Sequence, residues 1–381
     1  MGSAERRPTK RRITFARSML ILKYTIAPMA SWPLPPEASA SDIRLRNIWW
    51  WCAFIISISS TSGWYWSIYL NLNDFDVAIK AVSELFPMSA VWVKMIVCKI
   101  EASRLQDLMA EMNLFLKNAT AEEWELVMQY YDSCFTSHSF FFISSVVIMV
   151  FYIFEPAMNH DQTFPGTVEF PFAIESFWVW ATVYLSQIFI MTQCGSMLLI
   201  DLMYATLLWY ASARFDLLAI EFSNATNEDE FKRCIKKHQE LMEYFVKFRT
   251  SIGRMAVVMI AIAMTAVSTG GFVLIRNQPM IEFVKYILFE FVAAIQVLLF
   301  SWPSDHILQM GEKMRHSIYN CAWIGKSPRM LKDMIIVLQR AKNPPIITIE
   351  GFLPILSLEF FGNCVAASFS YIATLRAVAG D

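Results

Sequence analysis

The run PPIITIEGFLPILSLEFFGNCVAASFSYIATLRAVAG, residues 344–380, decides how the rest of the chain is read. It is apolar enough to cross a bilayer, yet it carries Asn363, Ser368, Ser370, Tyr371, Thr374 and Arg376. On a helix, Asn363, Ala367, Ser370, Thr374 and Val378 recur at three- and four-residue steps and form one small or polar face. Such a face either packs on another helix, because small residues let backbones approach, or meets water inside a membrane pore. The sequence that precedes it bears on which.

Of the 381 residues, 56% are hydrophobic and only 17% are charged, with a mean hydropathy of +0.41. Soluble domains carry roughly 25% charge, so this composition belongs to a membrane protein. The 30 Phe and 13 Trp suit bilayer interfaces and apolar pockets alike. A net charge of -1 gives no reason to expect a nucleic-acid partner. The seven cysteines are scattered and lack a C-x-x-C pair, so neither a disulfide framework nor a zinc site is expected. Most read as apolar fillers, with a pair between membrane segments left open.

Six apolar stretches precede the last one: about 48–70, 77–98, 135–154, 172–200, 255–275 and 283–302. Each approaches the ~20 residues that a hydrocarbon core requires. The expected fold is therefore an all-α membrane protein with seven transmembrane helices and long helical cytoplasmic extensions. Trp49, Trp50 and Trp51 open the first span and Trp64, Tyr65 and Trp66 close it, as interface belts do. Lys80 and Glu84 in the second span read as a pair four residues apart near the interface. Residues 101–133 read as one charged amphipathic stretch, 155–171 as a loop, and 304–343 as a polar helical segment.

The expected organisation is an N-terminal segment with an interfacial helix at 1–46 and spans one to four at 47–203, with an extension at 99–133. Spans five and six with cytoplasmic helices occupy 204–345. Span seven occupies 346–381, split near 351–354 and followed by a pore helix at 355–379.

Basic residues set the expected orientation. Of the 32 Lys and Arg, 27 lie before the first span or in the stretches between spans two and three, four and five, and six and seven. The other side has only Arg276 in its loops. The positive-inside rule then places the N-terminus in the cytoplasm and, after seven spans, the C-terminus outside. This is the reverse of a G-protein-coupled receptor. The basic start, MGSAERRPTKRR, lacks the features of a cleaved signal and is expected to stay in the mature protein. Two sequons, Asn118-Ala119-Thr120 and Asn224-Ala225-Thr226, fall on the cytoplasmic side and are expected to stay unglycosylated.

No G-x-S-x-G, H-E-x-x-H, Walker A or G-x-G-x-x-G motif occurs, and the five histidines share no ligand spacing. Most are expected on surfaces or loops. The chain is not expected to be an enzyme, and no cofactor or metal is implied. The outer halves of spans two, three, four and six instead carry aromatics with a few hydroxyls: Phe86, Phe141, Ser144, Ser145, Ile148, Tyr152, Phe177, Trp178, Ala181, Tyr184, Tyr286 and Phe289. As a set that mixture suits a pocket for a small apolar ligand, although for each residue taken singly ordinary helix packing is the leading reading. Glu290 in the sixth span is an intramembrane acid and so a functional candidate, or else part of a polar patch with Lys285.

An ordered series then carries a resemblance: FSWPSDHI (300–307), SIYNCAW (317–323), SPRMLKDM (327–334), QRAKNP (339–344), GFLPILSLEFF (351–361) and SFSYIATLR (368–376). With SWP at 31–33, it resembles the insect odorant receptor family. The resemblance implies a ligand-gated cation channel built as a tetramer, in which a tuning receptor joins a shared co-receptor subunit. It implies a plasma-membrane location in sensory dendrites, a small apolar odorant as ligand and membrane lipid around the bundle. The chain lacks the co-receptor's long insertion between spans four and five, so it resembles a tuning subunit. Arg376 departs from the co-receptor's pattern, which leaves conduction as a homomer open. In this reading Asn363, Ala367, Ser370 and Thr374 face a shared axis, with the narrowest ring at Leu375 or Val378. A gustatory-type channel of the same topology and a transporter are the alternatives. The last would show internal repeats, and none is visible.

Overall fold

A computed structural model describes residues 10–158, 163–276, 279–348 and 354–379, and these are helical with short connections. The ten α-helices among the described residues are α1 (Lys10–Thr25), α2 (Ala40–Leu70), α3 (Phe75–Ile100), α4 (Ala102–Asn118), α5 (Ala121–Met158), α6 (Phe177–Asn224), α7 (Glu228–Ile275), α8 (Met280–Tyr319), α9 (Pro328–Ala341) and α10 (Leu358–Ala379). Six of them, α3, α5, α6, α7, α8 and α10, are long and apolar enough to cross a membrane. The remaining expected span, α2, has the length, at 31 residues, but its many Ser residues dilute its hydropathy.

Local chemistry fixes the boundaries. Ser39 and Asp42 form a reciprocal capping box that starts α2. Asp74 caps α3 through Val77 N, and Asn227 caps α7 through Glu230 N. The expected single helix over 101–133 is broken at Ala119 and Thr120. There Thr120 and Glu123 exchange hydrogen bonds and begin α5, which continues without interruption into the third span. The expected segment over 304–343 divides likewise. α8 carries its span on to Tyr319, the chain turns through Gly325 (φ +76), and Ser327 caps a separate α9. The last helix begins at Leu358 rather than at residue 355, the expected start of the pore helix, because Ser357 receives the backbone N–H of Phe360. Of the split expected at 351–354, only Pro354 lies within the described residues.

Helices α6 and α7 have 48 residues each, about 72 Å at 1.5 Å per residue. A ~30 Å hydrocarbon core covers less than half of that. The remainder forms a second layer. In it α6 is buried on nearly every side from Leu202 to Phe222, among α4, α7, α8 and α1. Phe215 with Phe245 and Phe222 with Phe231 supply edge-to-face contacts in that layer, and Phe248 stacks on Tyr244. α9 closes it with Met330, Met334, Val337 and Ala341.

Candidate functional site

The membrane-depth part of the bundle is organised around two buried ionic clusters. In the first, Lys285 Nζ on α8 lies 2.6 Å from Glu155 Oε1 on α5 and 3.0 Å from Glu84 Oε1 on α3. The second oxygen of Glu84 accepts from Trp64 Nε1 at 3.1 Å and from the backbone N–H of Thr167 at 2.7 Å. Lys285 also lies over the ring of Tyr152, at 4.8 Å, and Tyr286 shares a hydrogen bond with Ser83. Charges taken out of water persist only when paired and hydrogen-bonded, and this cluster supplies both.

Several sequence expectations are corrected here. Glu84 does not pair with Lys80, which reaches Glu282 on α8 instead. Lys285 turns to Glu84 and Glu155 rather than to Glu290, which packs against Gly270 of α7. Glu155 is a buried helical residue, not part of a loop. Trp64 is fully buried and bonded to Glu84 rather than placed in an interface belt. His138 and His238 are buried within helices rather than on the surface, while His160 lies outside the described residues. All seven cysteines are free.

The backbone N–H on Glu84 comes from the segment between α5 and α6, which folds over this end of the bundle. Gly166 adopts φ +84, and a Cβ there would stand 2.9 Å from Trp64 and 3.1 Å from Glu84. Glycine is required at this position both for its conformation and for its close approach. Glu169 ties the same segment down, through its N–H to Gly63 O and its carboxylate to Asn71.

The second cluster lies deeper. Lys94 Nζ contacts both oxygens of Asp201, at 2.7 and 2.9 Å, with both side chains fully buried. Gln296 on α8 donates to the same carboxylate.

Between the clusters lies a cavity of about 50 Å³ walled by α3, α5, α6, α7 and α8. Tyr152 forms its edge toward the first cluster and Gln296 toward the second. The rest is mostly apolar: Pro87, Met88, Ile148, Met149, Met191, Met197, Ala266, Phe289, Val292 and Ala293, with Ser145. Four unbranched methionines make this wall adaptable, because their side chains repack at little cost. Gly195 also belongs to the wall, and a Cβ there would meet Met149 Sδ at 2.9 Å.

Of the twelve residues expected to line a pocket, Ser145, Ile148, Tyr152 and Phe289 line this one. Tyr286 and Phe141 are buried nearby but outside its wall. Ser144 and Ala181 are half-buried and do not reach it. Phe86 is exposed, as are Phe177 at 66% and Trp178 at 77%. Tyr184 stacks on Trp180 and borders Phe164 of the covering segment. Spacing along one helix could not separate these two groups. The usable signal was instead the polar residues inside apolar runs, Glu84 and Lys285 on one side of the cavity and Lys94, Asp201 and Gln296 on the other.

The last helix, α10, lies against α7 and α8. Gly271 admits Ile372 closely, and Tyr371 Oη donates to Ser268 O. Phe360 and Phe361 pack on Ala263, Ala266, Ala293 and Val297. Two of these, Ala266 and Ala293, also line the cavity. The face made by Asn363, Ala367, Ser370 and Thr374 is exposed, and Leu375 is half-buried. Only the backbone of Val378 is described.

Residues 74–369 match the profile of the 7tm Odorant receptor family. The chain belongs to this odorant receptor family. It is 26% identical to Odorant receptor Or2 of Anopheles gambiae over 152 residues, 39% of each chain. Identity to Odorant receptor 46a, isoform B, of Drosophila melanogaster is also 26%, over 38% of this chain and 37% of that one. The chain thus matches about two fifths of the length of these two relatives. The match to Odorant receptor 13a of Drosophila melanogaster is 20% identical and covers 92% of this chain and 93% of that one. The fold matches that of the insect olfactory receptor OR5 from Machilis hrabei with a TM-score of 0.77 at 13% identity, covering 96% of this chain and 99% of that one. The same receptor in complex with eugenol gives a TM-score of 0.74 at 14% identity, with the same coverage. As an odorant receptor with several membrane-length helices, the chain is a multi-pass membrane protein.

Proposed function

We propose that this odorant receptor is the ligand-binding subunit of an odorant-gated cation channel. The supporting observation is the shared wall: Ala266 and Ala293 line the apolar cavity and also carry Phe360 and Phe361 of the last helix. A small apolar ligand in that cavity would reposition α10 through those contacts. The eugenol complex of the Machilis receptor supports a small, largely apolar odorant as the ligand class. At about 50 Å³ the cavity is below the size of an ordinary ligand pocket, typically ~300 Å³ or more. Binding therefore widens it, and the methionines and Tyr152 are the side chains free to yield. A ligand that fits the widened form better than the narrow one shifts the equilibrium toward it.

In this reading the exposed face of α10 meets the same face of other subunits around a central axis, and a co-receptor completes the tetramer. The N-terminus, α4, α9 and the long extensions of α6, α7 and α8 lie in the cytoplasm, where they hold subunits together. Opening separates the α10 helices near Leu375 and Val378, where an apolar constriction gates by dewetting.

The test is co-expression with a co-receptor, an odorant panel and current recording. Phe289→Ala should enlarge the cavity and shift odorant potency about tenfold, in favour of bulkier ligands. Ala293→Leu should lower potency by a similar factor, with surface expression retained. Unchanged dose–response curves in both variants would refute the cavity as the site. Currents that depend on G-protein turnover would refute the channel.

A further inference from the structure

The segment from Ala30 to Ala38 closes a second cavity of about 230 Å³ against the start of α2, the end of α3 and the start of α4. Its polar lining includes Arg46, Asn47, Lys99, Ser103 and Gln106, with no Asp or Glu. Arg46 is anchored by its Nε to Ala30 O at 3.1 Å, which leaves the outer nitrogens of its guanidinium available. Lys99 is positioned by Asn47 Oδ1 and by the face of Trp50, 5.4 Å away. Among the described residues neither cation has a carboxylate within ion-pair distance. Glu101, only two residues beyond Lys99, is bound instead to Arg104 and Arg254. Two cations without an acidic partner on one cavity, held by neutral groups, leave it with a net positive charge that suits an anion.

Position narrows the class of anion. Arg46 immediately precedes the first membrane stretch and Lys99 immediately follows the second, so the cavity lies at the edge of the apolar zone. Beside it, Ile48, Trp51, Ile55 and Ile96 are exposed apolar side chains on the flank of the same two helices. A basic recess opening beside a strip of apolar surface fits an amphiphile with an anionic head. An adjoining groove shares Leu34, Pro35, Pro36 and Gln106, adds Lys23 and Lys117, and again has no acid in its lining.

We propose that the cavity of Arg46, Asn47 and Lys99 binds the phosphate-bearing headgroup of an anionic membrane phospholipid, whose acyl chains lie along the exposed flank of α2 and α3.

The full chain, purified into nanodiscs of phosphatidylcholine with or without phosphatidylinositol bisphosphate, tests this by native mass spectrometry of retained lipid and by thermal unfolding. Wild type should retain the anionic lipid and melt higher in its presence. The double variant R46Q/K99Q should bind it roughly thirtyfold more weakly, at about 1 kcal/mol for each cation, while R46K/K99R keeps most of the affinity. If the double variant does not fold, Lys99→Gln alone, at an exposed side chain, should weaken binding about fivefold. Unchanged retention in these variants overturns the site. Displacement by soluble inositol trisphosphate or inorganic phosphate at equal concentration overturns the lipid and leaves a free-anion site.

Discussion

Lys285 faces two carboxylates, and Glu84 divides its oxygens between that lysine, an indole and a backbone N–H. Removing one member strands the others. Lys285→Met should therefore destabilise the bundle by about 3–5 kcal/mol, through two uncompensated buried carboxylates, and reduce folded receptor at the cell surface. Lys94→Met should act similarly by stranding Asp201, and the double variant K94M/D201L should recover much of the loss, because an apolar pair needs no compensation. Thermal unfolding of the solubilised variants checks both, and additive losses in the double variant would contradict the pairing. That Glu84 and Lys285 stand inside apolar runs was legible in the sequence, where such charges are costly, whereas Lys94 and Asp201 are not singled out there and Glu155 reads as a loop residue. Their partners were not legible. Lys80 and Glu84 stand at helical spacing, yet each pairs across to α8.

Among elements, caps set the helix ends and length sets the layers. The Thr120–Glu123 box was readable as T-x-x-E. It was hidden by the unbroken amphipathic pattern on both sides of it. On α7, His238 is buried, and its pKa is pushed down first by that burial and then by the charge of Arg340. The unfolded chain, with an ordinary value near 6.5, therefore takes up a proton that the folded chain refuses. Folded stability should fall as pH drops below about 6.5. His306, on α8, is lowered by burial in the same direction. His238→Gln should flatten the fall in melting temperature between about pH 7 and 5. An unchanged profile would assign the acid sensitivity elsewhere.

At the scale of the whole molecule, two features concern how the chain meets its surroundings. The charge bias predicts that Asn118, at the end of α4, and Asn224, at the end of α6, carry no glycan. A glycosidase-sensitive mobility shift lost on Asn224→Gln would invert the topology. The second feature is α10, where Asn363, Ala367, Ser370 and Thr374 remain exposed. Packing within the chain does not claim that face, and under the proposed function it meets an axis shared between subunits. Ser370→Cys in the assembled channel should be modified by a charged thiol reagent, with loss of current, whereas a lipid-facing position would be inert.

Composition, apolar run length and the bias of basic residues were enough to specify a helical membrane bundle, because a bilayer admits few alternatives for the backbone. The ordered C-terminal motifs were enough to place the family. What a side chain touches across the bundle depends on helix rotation and tilt, which period and spacing do not encode. Tertiary packing therefore decided that Ser145, Ile148, Tyr152 and Phe289 meet at one cavity while Phe177 and Trp178 face outward. It also decided that Ala266 and Ala293 connect that cavity to Phe360 and Phe361 of the last helix.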